Sequence, residues 1–110
     1  EDGVERGNVL EGNLGLLTRR SHSLLATDTT PATFWVTNPD NILSDNVAAG
    51  SEGYGFWYRM LDHPEGASFT LDVCPKYVSL AAFANNTAHS NLIYGLRVFP
   101  EYYPNSNPCD

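Results

Sequence analysis

The sequence predicts an all-β chain wound as a segment of parallel β-helix with about three irregular coils. Three observations carry this reading. Asparagine recurs in the same phrase, Asn, four residues, Asn, at Asn8 and Asn13, at Asn41 and Asn46, and at Asn86 and Asn91. Short runs rich in aromatic and β-branched residues, bounded by Gly, Pro or Asn, read as strands: "ATFWVTN" (32–38), "GFWYRM" (55–60), "YVSLAAF" (77–83) and "GLRVF" (95–99). Helical spacing of apolar residues is absent over any three turns. "GLLTRRSHSLLA" comes nearest, and its Ser and Thr content beside Gly15 reduces it to a turn.

The phrases recur at uneven intervals that all fall within the roughly 20–50 residues typical of stacked repeats. After each come small or apolar residues, a Gly, and a strand: "GLLT", "GFWY" and "GLRV". A chain that coils into stacked parallel strands bends at the same place in every coil, and Asn tolerates the left-handed backbone of a tight bend. Its amide can also donate to one neighbouring coil and accept from the other at the ~4.8 Å strand spacing. Asn8, Asn41 and Asn86, or Asn13, Asn46 and Asn91, are therefore expected to stack in one column as a hydrogen-bonded ladder. Along the strands, alternation puts Phe56, Tyr58 and Met60 on one face and Leu96 and Val98 on one face. Trp57, Arg59 and Arg97 point the other way. The segments "ATDTTPA", "LDHPEGASFTLDVCPK" and the tail "PEYYPNSNPCD" read as irregular connections.

Length and composition bound the function. The chain has 110 residues, 42% of them hydrophobic, enough for one packed unit spanning 1–110. It opens on Glu1 in "EDGVERGN", which reads as mid-protein, so a fragment of a larger chain is expected. A net charge of −7 disfavours nucleic acid and anionic membrane surfaces as partners. No apolar run reaches the roughly 18 residues of a membrane helix. Cys74 and Cys109 fit no CxxC metal or redox motif, which leaves two buried thiols or one disulfide open. Asn85-Asn86-Thr87 is a glycosylation sequon at Asn85, and alternation turns Asn85 outward if Asn86 belongs to the ladder.

Catalysis on an acidic polysaccharide needs two carboxylates, or a carboxylate with Arg or Lys, converging on one face. Asp62, His63, Glu65 and Asp72 in one connection, and Asp40 and Asp45 near a corner, are the candidates, and each reads first as a solvated turn residue. His22, His63 and His89 are too scattered for a metal site. No catalytic, cofactor or metal residue is assigned. Trp35, Tyr54, Trp57, Tyr94, Tyr102 and Tyr103 could stack on sugars if exposed, which keeps a glycan among the candidate partners.

The stretches "EDGVERGNVLEGN", "FWVTNPDN", "NVAAGSEGYGFWY", "DHPEGAS", "FANNTAHSN" and "YGLRVFPEYYP" resemble the fibrocystin-L family across essentially the whole chain. They are more distantly similar to the cell-surface hyaluronidases that share its G8 and parallel β-helix modules. The resemblance implies a right-handed, pectin-lyase-like β-helix within a large extracellular or membrane-anchored protein. It favours a structural or adhesion role over an enzymatic one, with a glycan-binding or glycan-cleaving, hyaluronidase-like segment as the alternative. No cofactor is implied. Together with the even cysteine count it also implies a Cys74–Cys109 disulfide. Some three coils without evident caps need flanking coils or another subunit over their ends.

Overall fold

A computed structural model describes residues 2–22 and 30–110. Among them are nine strands: β1 (Val9–Glu11), β2 (Leu14–Leu16), β3 (Ala32–Val36), β4 (Ile42–Ser44), β5 (Val47–Ala49), β6 (Tyr54–Met60), β7 (Ala82–Ala84), β8 (Thr87–His89) and β9 (Tyr94–Pro100). They form three parallel three-stranded sheets, β1-β4-β7, β2-β5-β8 and β3-β6-β9. The chain visits each sheet once per coil and then returns to the first, which is a β-helix of three coils.

The corners explain the strand lengths. Positive φ occurs at Gly12 (67°), Asp45 (56°) and Asn85 (54°) after the first strand of each coil, and at Leu17 (55°), Gly50 (75°) and Ser90 (60°) after the second. A left-handed residue every five positions leaves room for only three paired residues between bends. The bend residue is therefore the one before each ladder Asn at these corners, not the Asn itself, which corrects the sequence reading. Gly, Asp and Asn tolerate this conformation; Leu17 adopts it against its own preference.

Three strand readings, "ATFWVTN", "GFWYRM" and "GLRVF", became the one long sheet, β3-β6-β9. "YVSLAAF" is divided between a 3-10 turn, Pro75–Tyr77, and β7. "GLLT" is not the equivalent of "GFWY" and "GLRV": Leu14–Leu16 pairs with Val47–Ala49 in the second sheet.

Side chains stack in register through the interior. Leu10, Leu43 and Phe83 form one column, Gly15, Ala48 and Ala88 another, and Phe34, Phe56 and Leu96 a third. The second column starts at Gly15 because a side chain there would run into Thr33. Burial is complete only in the middle coil, where Leu43 and Ala48 are 0% exposed and Phe56 1%, whereas Leu96 at the far end is 49% exposed. Tyr58, Met60, Leu80, Phe83, Leu96, Val98 and Tyr102 line a 120 Å³ apolar cavity at that end.

Candidate functional site

Three polar columns run along the corners, built by the register of the sheets. Asn8 donates from its backbone N and its Nδ2 to Asn41 Oδ1, at 2.9 and 3.0 Å. Asn13 does the same to Asn46 Oδ1, both at 3.0 Å, and Asn46 repeats it to Asn86 Oδ1, both at 3.0 Å. Each inner amide uses its second hydrogen on a carbonyl of the neighbouring coil: Asn46 Nδ2 on Leu10 and Asn86 Nδ2 on Leu43, both at 2.9 Å. Asn41 Nδ2 instead reaches the carbonyls of Glu5 and Asn38.

The columns differ from those expected. Asn86 stacks under Asn46, not under Asn41, and Asn91 lies under Ser51, whose backbone N donates to Asn91 Oδ1 at 3.0 Å. Ala81 occupies the place under Asn41, one residue before the Ile42–Ala82 pair. The reason is geometric. Successive corners in one coil are five residues apart, so the same phrase fits either of two adjacent corner pairs. In the first two coils it flanks the first strand; in the third it flanks the second. Sequence reasoning thus missed Thr18 and Ser51 as equivalents of Asn91. A search for Ser or Thr five residues after Asn13 and Asn46 would have found both.

The connection after β6 is held by ion pairs and a disulfide. Cys74 and Cys109 are bonded, closing a 35-residue separation. Lys76 Nζ sits 2.8 Å from Asp62 and 3.8 Å from Glu101. The hydrogen bond from Lys76 holds Asp62 below the usual carboxylate range and, reciprocally, holds the Lys76 ammonium above its own. The tail runs beside this connection: Tyr103 N donates to Lys76 O at 2.9 Å, Asn105 N to Tyr77 O at 3.0 Å, and the Tyr102 hydroxyl to Val78 O at 2.7 Å. Replacing both cysteines by Ser should lower unfolding free energy by about 3–4 kcal/mol, the loop-entropy value for this span. Urea denaturation of the double variant against the oxidised protein measures it, and the retained backbone bonds of the tail should keep the coils folded at low denaturant.

Three of the carboxylates proposed for chemistry are engaged in ion pairs. Asp62 pairs with Lys76, Glu65 with Arg59 at 3.2 Å, and Asp40 with Arg6 at 2.8 Å. His63 Nδ1 lies 3.1 Å from Val73 O and 3.6 Å from Cys74 Sγ, and His89 Nδ1 lies 3.0 Å from Ser90 Oγ. His22 lies apart from these groups, whereas Asp72 lines a pocket of about 540 Å³ together with Arg6 and Asp40. Asp45 takes the corner conformation described above. Among the described residues no three His, Cys, Asp or Glu side chains gather as metal ligands.

Away from the interior columns, the long sheet carries a second aromatic cluster around Trp57 and Arg97. Trp35 and Trp57 are register partners with ring centroids 4.4 Å apart, and Tyr54 stacks on Tyr94 at 5.8 Å. Arg97, paired with Trp57, lies over the rings of Tyr54, Trp57 and Phe99 at 4.9, 5.4 and 4.3 Å and donates to the Tyr54 hydroxyl. Trp57 is only 9% exposed, so its ring is committed to this stack rather than offered to a ligand. Tyr94 and Tyr103, at 56% and 58%, remain open.

A three-coil stack with amide ladders at its corners defines a parallel β-helix segment. The chain belongs to the CEMIP beta-helix family, whose model matches residues 1–96. It is 53% identical to mouse Fibrocystin-L and 50% identical to human Fibrocystin-L, each over 94% of this chain and 2% of the relative. It is 39% identical to human cell surface hyaluronidase CEMIP2 over 87% of this chain and 9% of that protein. The chain therefore spans a small part of the curated relatives it matches.

Proposed function

We propose that this chain is a non-enzymatic structural and adhesion segment of a large extracellular or cell-surface β-helix protein. The ladders carry the reading. The Asn residues that stand out in the sequence serve the coil stack, and three of the candidate carboxylates, Asp40, Asp62 and Glu65, are tied into local ion pairs. The same ladders support flanking coils, or another subunit, over the two ends. Neither Asn8 Oδ1 nor Asn13 Oδ1 accepts a hydrogen bond among the described residues, and the backbone N–H groups of Asn86 and Asn91 donate none. In the middle coil the matching groups are paired. A coil stacked before the first would donate to those oxygens, and one stacked after the third would accept from those N–H groups.

One observation favours a second reading, a glycan-binding or glycan-cleaving segment: the open rings of Phe99, under Arg97, and of Tyr94, stacked on Tyr54, in a chain related to a protein named as a hyaluronidase. Incubation of the chain with high-molecular-weight hyaluronan separates the two. The structural reading expects the polymer to keep its size and to be left unbound in co-sedimentation. Progressive shortening sinks that reading in favour of an enzyme. Retention of intact polymer, lost on Tyr94→Ala, identifies a binding segment instead.

A further inference from the structure

We propose that Asn85 carries an N-linked glycan, projecting sideways from the corner between β7 and β8; the proposal rests on the extracellular reading above. Three coils pass through this corner, and each shows what the fold requires there. The left-handed position is Gly12, Asp45 and Asn85 in turn. The next is the ladder position, Asn13, Asn46 and Asn86. The next is the first residue of the following strand, Leu14, Val47 and Thr87, which are register partners. The fold thus asks for a residue tolerant of positive φ, then Asn, then a strand residue that is apolar in the first two coils.

The third coil departs from this at the last position, where a hydroxyl replaces Leu and Val. Its left-handed position also carries a carboxamide where the others carry a hydrogen and a carboxylate. The Asn85 amide and the Thr87 hydroxyl are both exposed, and neither side chain makes a hydrogen bond in the described structure. So the two side-chain polar groups at this corner without a task in the described structure are the acceptor amide and the hydroxyl two residues later that N-glycosylation requires. The intervening Asn86 has its oxygen and amide committed to Asn46 and Leu43. In the transfer, Asn85 Nδ2 displaces the pyrophosphate leaving group of a lipid-linked oligosaccharide at the anomeric carbon. One N–C bond forms, one C–O bond breaks, and an amide proton is lost to base. The bend itself is left as it is, because substitution at Nδ2 lies beyond the backbone that sets it.

The test is expression of the 110-residue chain behind a secretion signal in mammalian cells, followed by intact-mass analysis before and after peptide N-glycosidase. A glycosidase-dependent mass loss from the secreted chain is expected, with Asn85 converted to Asp. Thr87→Val copies the middle coil and Asn85→Asp copies its corner, so both should fold, be secreted at wild-type melting temperature, and show no shift. Secreted wild-type chain at bare polypeptide mass overturns the proposal, as does a shift that persists in either variant. Surface biotinylation of the native protein tests the extracellular reading separately, since forced secretion reports only on whether the sequon is used.

Discussion

Asn46→Leu should lower the stability of the chain by about 4 kcal/mol. Asn46 is 0% exposed and stands in the middle of its column. It accepts from the backbone N and Nδ2 of Asn13 and donates Nδ2 to Leu10 O and Asn86 Oδ1. Leucine makes none of these four bonds. The Leu10 carbonyl loses its bond from Asn46 Nδ2 and the Asn13 backbone N loses its acceptor, and each buried polar group left unpaired costs about 1–3 kcal/mol. No backbone strain adds to this, because the positive φ belongs to Asp45. Asn105→Leu, in the exposed tail, should cost under about 0.5 kcal/mol. Chemical denaturation of both variants decides the matter, and equal midpoints would mean the ladder does not hold the coils. A double-mutant cycle resolves the register: Asn46 and Asn86 should couple by about 1 kcal/mol or more, while Asn41 and Asn86, in different columns, should be additive.

That register is where sequence and structure part. The coil repeat was legible because a ladder needs the same amide in each coil, and aromatic strands five to seven residues long were legible because alternation needs length to be seen. Those strands all belong to one sheet. Strands β1, β4, β5 and β8 are three residues each, too short for a period of two to register, and they hide between and after the asparagines. The order of corners was not legible because two adjacent corners share a five-residue spacing. The backbone pairing of Val47 with Thr87 and the hydrogen bonds from Asn46 to Asn86 Oδ1 show which corner Asn86 occupies. The pairing of Cys74 with Cys109 followed from the even count and the family resemblance; the tail's path along Lys76 and Tyr77, which brings the two together, has no sequence signal. Trp57, a sugar-stacking candidate by type, is enclosed by Trp35, Tyr54 and Arg97, contacts that need the stacking register to be known first.

Phe56→Ala should be comparably damaging, with a loss of about 4 kcal/mol, and for a different reason. Phe56 is 1% exposed and is the centre of the interior stack, parallel to Phe34 at 4.8 Å and edge-on to Phe83 at 5.2 Å. Truncation removes its transfer free energy and leaves a cavity that the short β-helix rungs, pinned by pairing on both sides, cannot close; buried Phe→Ala changes cost about 3–5 kcal/mol. In a stack of coils each unit is stabilised chiefly by its neighbours, so damage to the middle coil weakens both interfaces at once. The same truncation at Leu96, in the same column but 49% exposed, should cost under half as much. Phe56→Leu, which copies the residue that column already holds in the third coil, should recover more than half of the loss. Urea unfolding with an unchanged m-value for all three variants would show that stability and not the denatured state has moved. If Leu96→Ala instead cost as much as Phe56→Ala, the end of the stack would be as tightly packed as its middle, and the case for flanking coils over the open faces would lose its main thermodynamic support.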